Sequence, residues 1–267
     1  MATLPNPLPQ LASDPSGRKL GLRLPPGKLV DANWPQPLLW YANQPSSSGN
    51  WTALGAQASQ AGLLPVLVDV ANHWEERQGW ELDPDAASYP GDHDAEDVLA
   101  EFWETVEDEY DADPRAPFTH TWPGLAPATT PTADPDTRAT QLADDISESK
   151  DRTWFTAPHL ALVPARRSAD IPAAIGWTGP LNHENDVARL CAVLRTWEDR
   201  FGARVVAIGF ATLAVSVAAP PATQEEAEAI AAEHYAFCPD NIEQGSGTIE
   251  AYAKDLIGAP SWHFWWD

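Results

Sequence analysis

LRTWEDRFGARVVAIGFATLAVSVAAPPATQEEAEAI, residues 194–230, decides the fold. It ends one helix, makes two strands and opens a second helix. Upstream, Val187, Leu190, Cys191, Leu194, Trp197 and Phe201 form an apolar stripe at helical spacing, capped by Asn182 or Asn185. Gly202 stands where a helix stops. Residues 203–210 and 212–218 are β-rich runs separated by Ala211 and its neighbours, which predicts an antiparallel hairpin. Pro220 and Pro221 end it, and Thr223 with Glu226 is a capping box for a helix that turns Ala227, Ile230, Ala231 and Tyr235 inward.

Working outward, HLALVP at 159–164 reads as a strand and DIPAAIGW at 170–177 as a turn with a short helix. Thr248 opens a final helix through Ile257, Gly258 closes it, and SWHFWWD ends the chain as a strand. The first half is a smaller β-β-α-β part. Its strands are 28–33, 37–43 and 63–70, and its helix begins at Asn50 with Trp51, Leu54 and Ala58 on one face. LLPVLVDV at 63–70 is apolar almost throughout, the mark of a strand buried on both faces. Residues 71–93 read as a long loop. A helix from Asp94 then carries Val98, Phe102, Val106 and Tyr110 inward and acids outward. The expectation is an α/β or α+β protein with a mixed sheet flanked by helices. It divides into a loose arm (1–26), an N-terminal α/β region (27–110), a Pro-rich connector with a short polar helix at 137–150 (111–158) and a C-terminal domain (159–267).

Composition narrows the function classes. The net charge is -23, so the chain as a whole repels nucleic acid phosphates. From Asp69 to Asp113 there are 17 acidic residues and one basic residue, Arg77, which reads as a solvated surface or a docking face for a basic partner. No apolar run reaches the roughly 18 residues of a membrane span, and MATLPNPLPQLASDPSG has no secretory pattern, so a cytoplasmic location is expected. Cys191 and Cys238 are the two cysteines, too few for a disulfide framework or a four-thiolate metal site. No phosphate-cradling glycine loop, nucleophile elbow or zinc-protease motif is present, and neither metal nor cofactor is expected. Asp92-His93-Asp94 reads as a solvated loop rather than a metal site.

Three places are candidates for function. YAFCPDNIEQGSG at 235–247 follows a helix end. In it Cys238 with His234 and Asp240 has the parts of an activated thiol, although a small buried Cys238 and a core-edge His234 are the plainer reading. Asp240, Asn241 and Gln244 can equally satisfy the loop's own backbone. Gly176-Trp177 ahead of Asn182 either walls a pocket or closes a tight turn. Trp262, Phe264, Trp265 and Trp266 are either core or a stacking surface. Trp177, Asn182, Asp240, Gln244 and Trp266 are thus the candidates for binding a ligand or partner.

These residues carry a resemblance. IGW at 175–177, Asn182, LRTWEDRFGARVVAIG at 194–209, APP at 219–221, YAFCPD at 235–240, QGSGTIEAYA at 244–253 and WHFWWD at the end resemble the bacterial family known as domain of unknown function 4253. LLWYA, GLLPVLV and GLAP resemble it less sharply in the first half. The family pattern often carries a Cys-Pro soon after the Asn, where this chain has His183 and Glu184. The resemblance implies a domain architecture and brings no activity, substrate or catalytic residue. The leading expectation is a non-enzymatic, immunity-like protein that binds a basic protein partner. The alternatives are an enzyme or small-ligand binder using the Cys238 loop, and a structural or assembly component.

Overall fold

In a computed structural model, residues 6–32, 34–69, 82–105, 114–151 and 153–267 are described. Their strands form one mixed seven-stranded sheet, β1 (Gly27–Val30), β2 (Leu39–Pro45), β3 (Leu64–Val68), β4 (His159–Val163), β5 (Arg204–Ile208), β6 (Thr212–Ser216) and β7 (Ser261–Trp265). The order across the sheet is β1-β2-β4-β3-β5-β6-β7. Only β3 and β5 run parallel; every other pair is antiparallel. β4 lies between β2 and β3, and β3 lies between β4 and β5, so the sheet takes strands alternately from the two sides of the residue 158/159 boundary.

Helices cover both faces. The first face carries α3 (Ala95–Thr105), α5 (Ile171–Ile175), α6 (Val187–Phe201), α7 (Gln224–Phe237) and α8 (Ile249–Leu256). The second carries α1 (Pro9–Ser13), α2 (Asn50–Gln60) and α4 (Pro135–Glu148). Strand alternation divides the core accordingly. Val66 and Val68 pack on the first face and Leu67 on the second, so β3 is buried on both sides, as its unbroken apolar run predicts. Each such aliphatic side chain contributes about 1.5–3 kcal/mol when fully buried. The hairpin β5–β6, the capping box at Thr223 and Glu226, and Gly202 in the left-handed region (φ +60°) all form as the opening stretch predicts.

Three expectations need correction. The segment before β1 is no loose arm from residue 6 onward. Leu8, Leu11 and Leu22 are buried against the second face, where their apolar area outweighs the disorder that Pro and small residues favour. α4 is a core element within the Pro-rich connector, burying Ala139, Leu142, Ala143 and Ile146. The side chain of Asp186, rather than Asn182 or Asn185, caps α6 by accepting from Ala188 N. The inward positions Val106 and Tyr110 fall outside the described residues.

Candidate functional site

Pro239 cannot continue α7, and Cys238 before it has already left the helical conformation (φ -153°, ψ 81°). The chain then makes one wide π-helical turn, Asn241–Ser246, which aims the Asn241 amide at the outer edge of β7. Asn241 Oδ1 accepts from Trp265 N (3.2 Å), and Nδ2 donates to His263 O (2.6 Å) and lies 3.3 Å from the Tyr252 hydroxyl. The Cys238 thiol donates to Trp265 O at 2.9 Å. β7 is an edge strand whose free backbone groups would otherwise be open to another chain. One amide and one thiol occupy them as a further strand would.

The other candidates gather at the same place. Asp240 accepts from Asp267 N (3.1 Å) and from Gln244 Nε2 (2.8 Å), and Asn182 Nδ2 donates to Asp267 O (2.8 Å). Trp177 donates from Nε1 to Gly209 O and Phe210 O and meets the Trp266 ring edge-on at 5.5 Å. Gly176 is obligatory here. Its φ is +66°, and a Cβ would stand 2.2 Å from Pro84 N, where residues 82–84 run alongside. The fold therefore brings the 235–247 loop, Trp177 and Asn182 together, and what they hold is the segment 261–267.

That arrangement corrects the chemical reading of Cys238 and His234. Cys238 is fully buried, and burial pushes its thiol up, away from the thiolate a nucleophile needs. His234 is also fully buried. Its Nδ1 faces the Tyr252 hydroxyl at 3.2 Å, and loss of solvent drives its pKa down to about 3. The thiol is spent on a backbone carbonyl, and neither group is open to a substrate. Iodoacetamide at neutral pH is expected to label Cys238 and Cys191 equally slowly in the folded protein, and both quickly in denaturant. Fast native labelling of Cys238 alone would restore the activated thiol.

Trp177 (2% exposed) and Trp266 (4%) offer no ring face to a ligand or partner, a second correction. Asn182 and Gln244 stay exposed, and Asp240 is half-buried.

Sequence reasoning missed a buried ionic cluster between α6 and α7. Glu233 is inaccessible to solvent, and both its oxygens are bound by Arg200 at 2.6 Å. Trp197 Nε1 (2.7 Å) and Ala126 N (2.6 Å) also donate to it, and Arg200 returns a bond to Ala126 O. The readable signal was a carboxylate between Ile230 and Phe237 at helical spacing, on a face otherwise apolar.

The acidity is real surface over residues 82–105. Asp83, Asp85, Asp92, Asp94, Glu96, Asp97, Glu101 and Glu104 are all exposed, and the segment contains no Lys or Arg. Among the described residues only Glu101 of these eight has an ion pair, with Arg189 at 2.6 Å. Asp94 caps α3 through the amides of Glu96 and Asp97. His93 turns to Ser88 and Asp186. Asp69 does not share in this surface. It is buried and accepts from the amides of Thr156 and Ala157. Among the described residues no group of three or more His, Cys, Asp or Glu is placed to hold a metal ion, and no helix is long and apolar enough to cross a membrane.

Residues 159–267 match the family described as Domain of unknown function (DUF4253). The match begins with β4 and contains β4 through β7, yet β3, which precedes it in the chain, separates β4 from β5 in the sheet. No curated protein and no solved structure matches the chain.

Proposed function

We propose that this chain is a non-enzymatic interaction protein that binds a basic protein partner in the bacterial cytoplasm, in the manner of an immunity protein that neutralises a toxin. The observation that carries the reading is the 82–105 surface, where seven of eight exposed carboxylates lack an ion pair among the described residues. Such a field attracts a basic partner from a distance and speeds encounter, while like-charged proteins are turned away. The buried state of Cys238 and His234 supports the reading by leaving the 235–247 loop a structural task.

The test uses the purified protein and a variant carrying Asp85→Asn, Asp92→Asn, Asp97→Asn and Glu104→Gln, with Asp94 kept because it caps α3. A protein partner should be retained at low salt, with association slowed by about tenfold or more in the variant and by added salt in the wild type. The reading fails if no protein partner is retained at either salt, or if the variant associates at the wild-type rate.

A further inference from the structure

At the end of the sheet where β3 and β5 begin and β4 ends, α2, the start of α4, the segment after β4 and Glu198 of α6 enclose an open cleft of about 750 Å³. Its size suits a small molecule. The half-buried Leu64 and Pro65 supply apolar wall, backed by the buried Trp51, Ala165 and Val205, and Thr52, Ser59, Thr137 and Thr140 supply hydroxyls. The α2 side is left clear by Gly55, where a side chain would first meet Pro65 at 3.8 Å.

The charges in the cleft set it apart. The chain has 16 Lys and Arg against 39 Asp and Glu, yet Arg166, Arg167 and Arg204 all line this one cavity. Glu198, whose side chain is 13% exposed, lies between two of them, 3.2 Å from Arg167 Nε and 3.4 Å from Arg204 Nη1. Arg167 is further tied to Asp199 and Arg204 to Asp136. Two guanidinium groups are thereby fixed and half-buried before any ligand arrives, which spares the ordering that a free arginine would need. Arg166 is exposed at the rim and has no ion pair among the described residues. The two further carboxylates in the lining are Asp134, engaged as the cap of α4, and Asp136, 83% exposed and paired with Arg204 at 3.0 Å.

We infer that this cleft binds a small molecule that presents an oxyanion, phosphate or carboxylate, to Arg166 and the Arg167–Arg204 pair and lays an apolar body against Leu64 and Pro65. Guanidinium forks match both oxyanions. Its lining includes no residue of the acidic 82–105 segment, so it holds or falls independently of the proposed partner.

Inorganic phosphate and malonate, titrated separately into the full-length protein under amide-resolved NMR, provide the test. Saturable shifts are expected in residues 52–59, 137–140 and 165–168, with one probe or both. Arg166→Gln should weaken them by about tenfold. Gly55→Leu should abolish them by filling the cleft without changing charge. Arg18→Gln, in the N-terminal segment, should leave them unchanged. Phosphate alone would assign a phosphoryl ligand, malonate alone a carboxylate, and both a general oxyanion site. The inference is overturned if no saturable shift appears by about 20 mM of either probe, or if Arg166→Gln and Arg18→Gln weaken the response by the same factor.

Discussion

Replacing Arg200 with Met is expected to destabilise the fold by about 3–5 kcal/mol, the usual consequence of leaving a buried charge without its partner. Glu233 is fully enclosed, and Arg200 makes two of the four hydrogen bonds that hold its carboxylate. Trp197 and Ala126 are neutral donors and cannot replace the lost charge. Urea unfolding should show a lower midpoint with an unchanged slope, since the same surface is exposed on unfolding. The double variant Arg200→Met, Glu233→Leu separates pair from packing. It should recover a large part of the loss, because an apolar replacement removes both charges together, though Ala126 N and Trp197 Nε1 then lose their acceptor. A single-variant loss below about 1 kcal/mol would mean that water or neighbouring groups already compensate the carboxylate. The cluster also ties Ala126 to α6 and α7, so the segment around it should become protease-sensitive in the single variant.

This cluster marks where the sequence stops being legible. Signals carried within a dozen residues read correctly, such as Gly202, the Thr223–Glu226 box, the β5–β6 hairpin and the doubly buried β3. Each is local, a cap or a periodicity that tertiary packing only reinforces. The strand order was not legible, because placing β4 between β2 and β3 depends on pairings across about a hundred residues that no local pattern encodes. α4 misled for a different reason. Two of its four buried positions are Ala139 and Ala143, too small to make an apolar stripe stand out beside Asp136, Asp144 and Asp145. The arm before β1 misled because Pro and Gly content masked three well-spaced leucines.

The candidate site was legible as a place, while its chemistry stayed open between an activated thiol and a buried one. Polar and turn-forming residues at 235–247 marked a segment with a demanding backbone, and Trp177 and Asn182 do meet it through residues 266 and 267. Proximity in sequence could not say whether Cys238 faces a cavity or a carbonyl. The geometry answers with Trp265 O at 2.9 Å, and the edge position of β7 explains the need.

His234 should make the fold acid-labile through its own titration. It is packed among Trp197, Trp262 and Phe264 with ring centroids 4.6–4.9 Å away, and Tyr252 Oη is the group its Nδ1 meets. Its pKa falls from the usual 6.5 to about 3 on folding, driven by desolvation. Between those values the unfolded chain binds a proton that the native state refuses, so stability rises with pH across that window. The contribution is complete above about pH 6.5 and is lost progressively as pH falls toward about 3, to an upper limit on the order of 5 kcal/mol. Aromatic faces around a protonated ring would return only about 1–2 kcal/mol as cation–π attraction, so desolvation wins. His263, half-buried and shifted down for the same reason, adds to the slope with the same sign. His234→Gln keeps a polar group near Tyr252 and removes the titration. Whatever its effect at pH 7.5, the gap between variant and wild type should narrow or reverse in urea melts near pH 4.5, by about 2 kcal/mol. An equal gap at both values would show that His234 titrates alike in the folded and unfolded states, as a solvated ring does, and would return it to the list of groups able to exchange protons with a ligand.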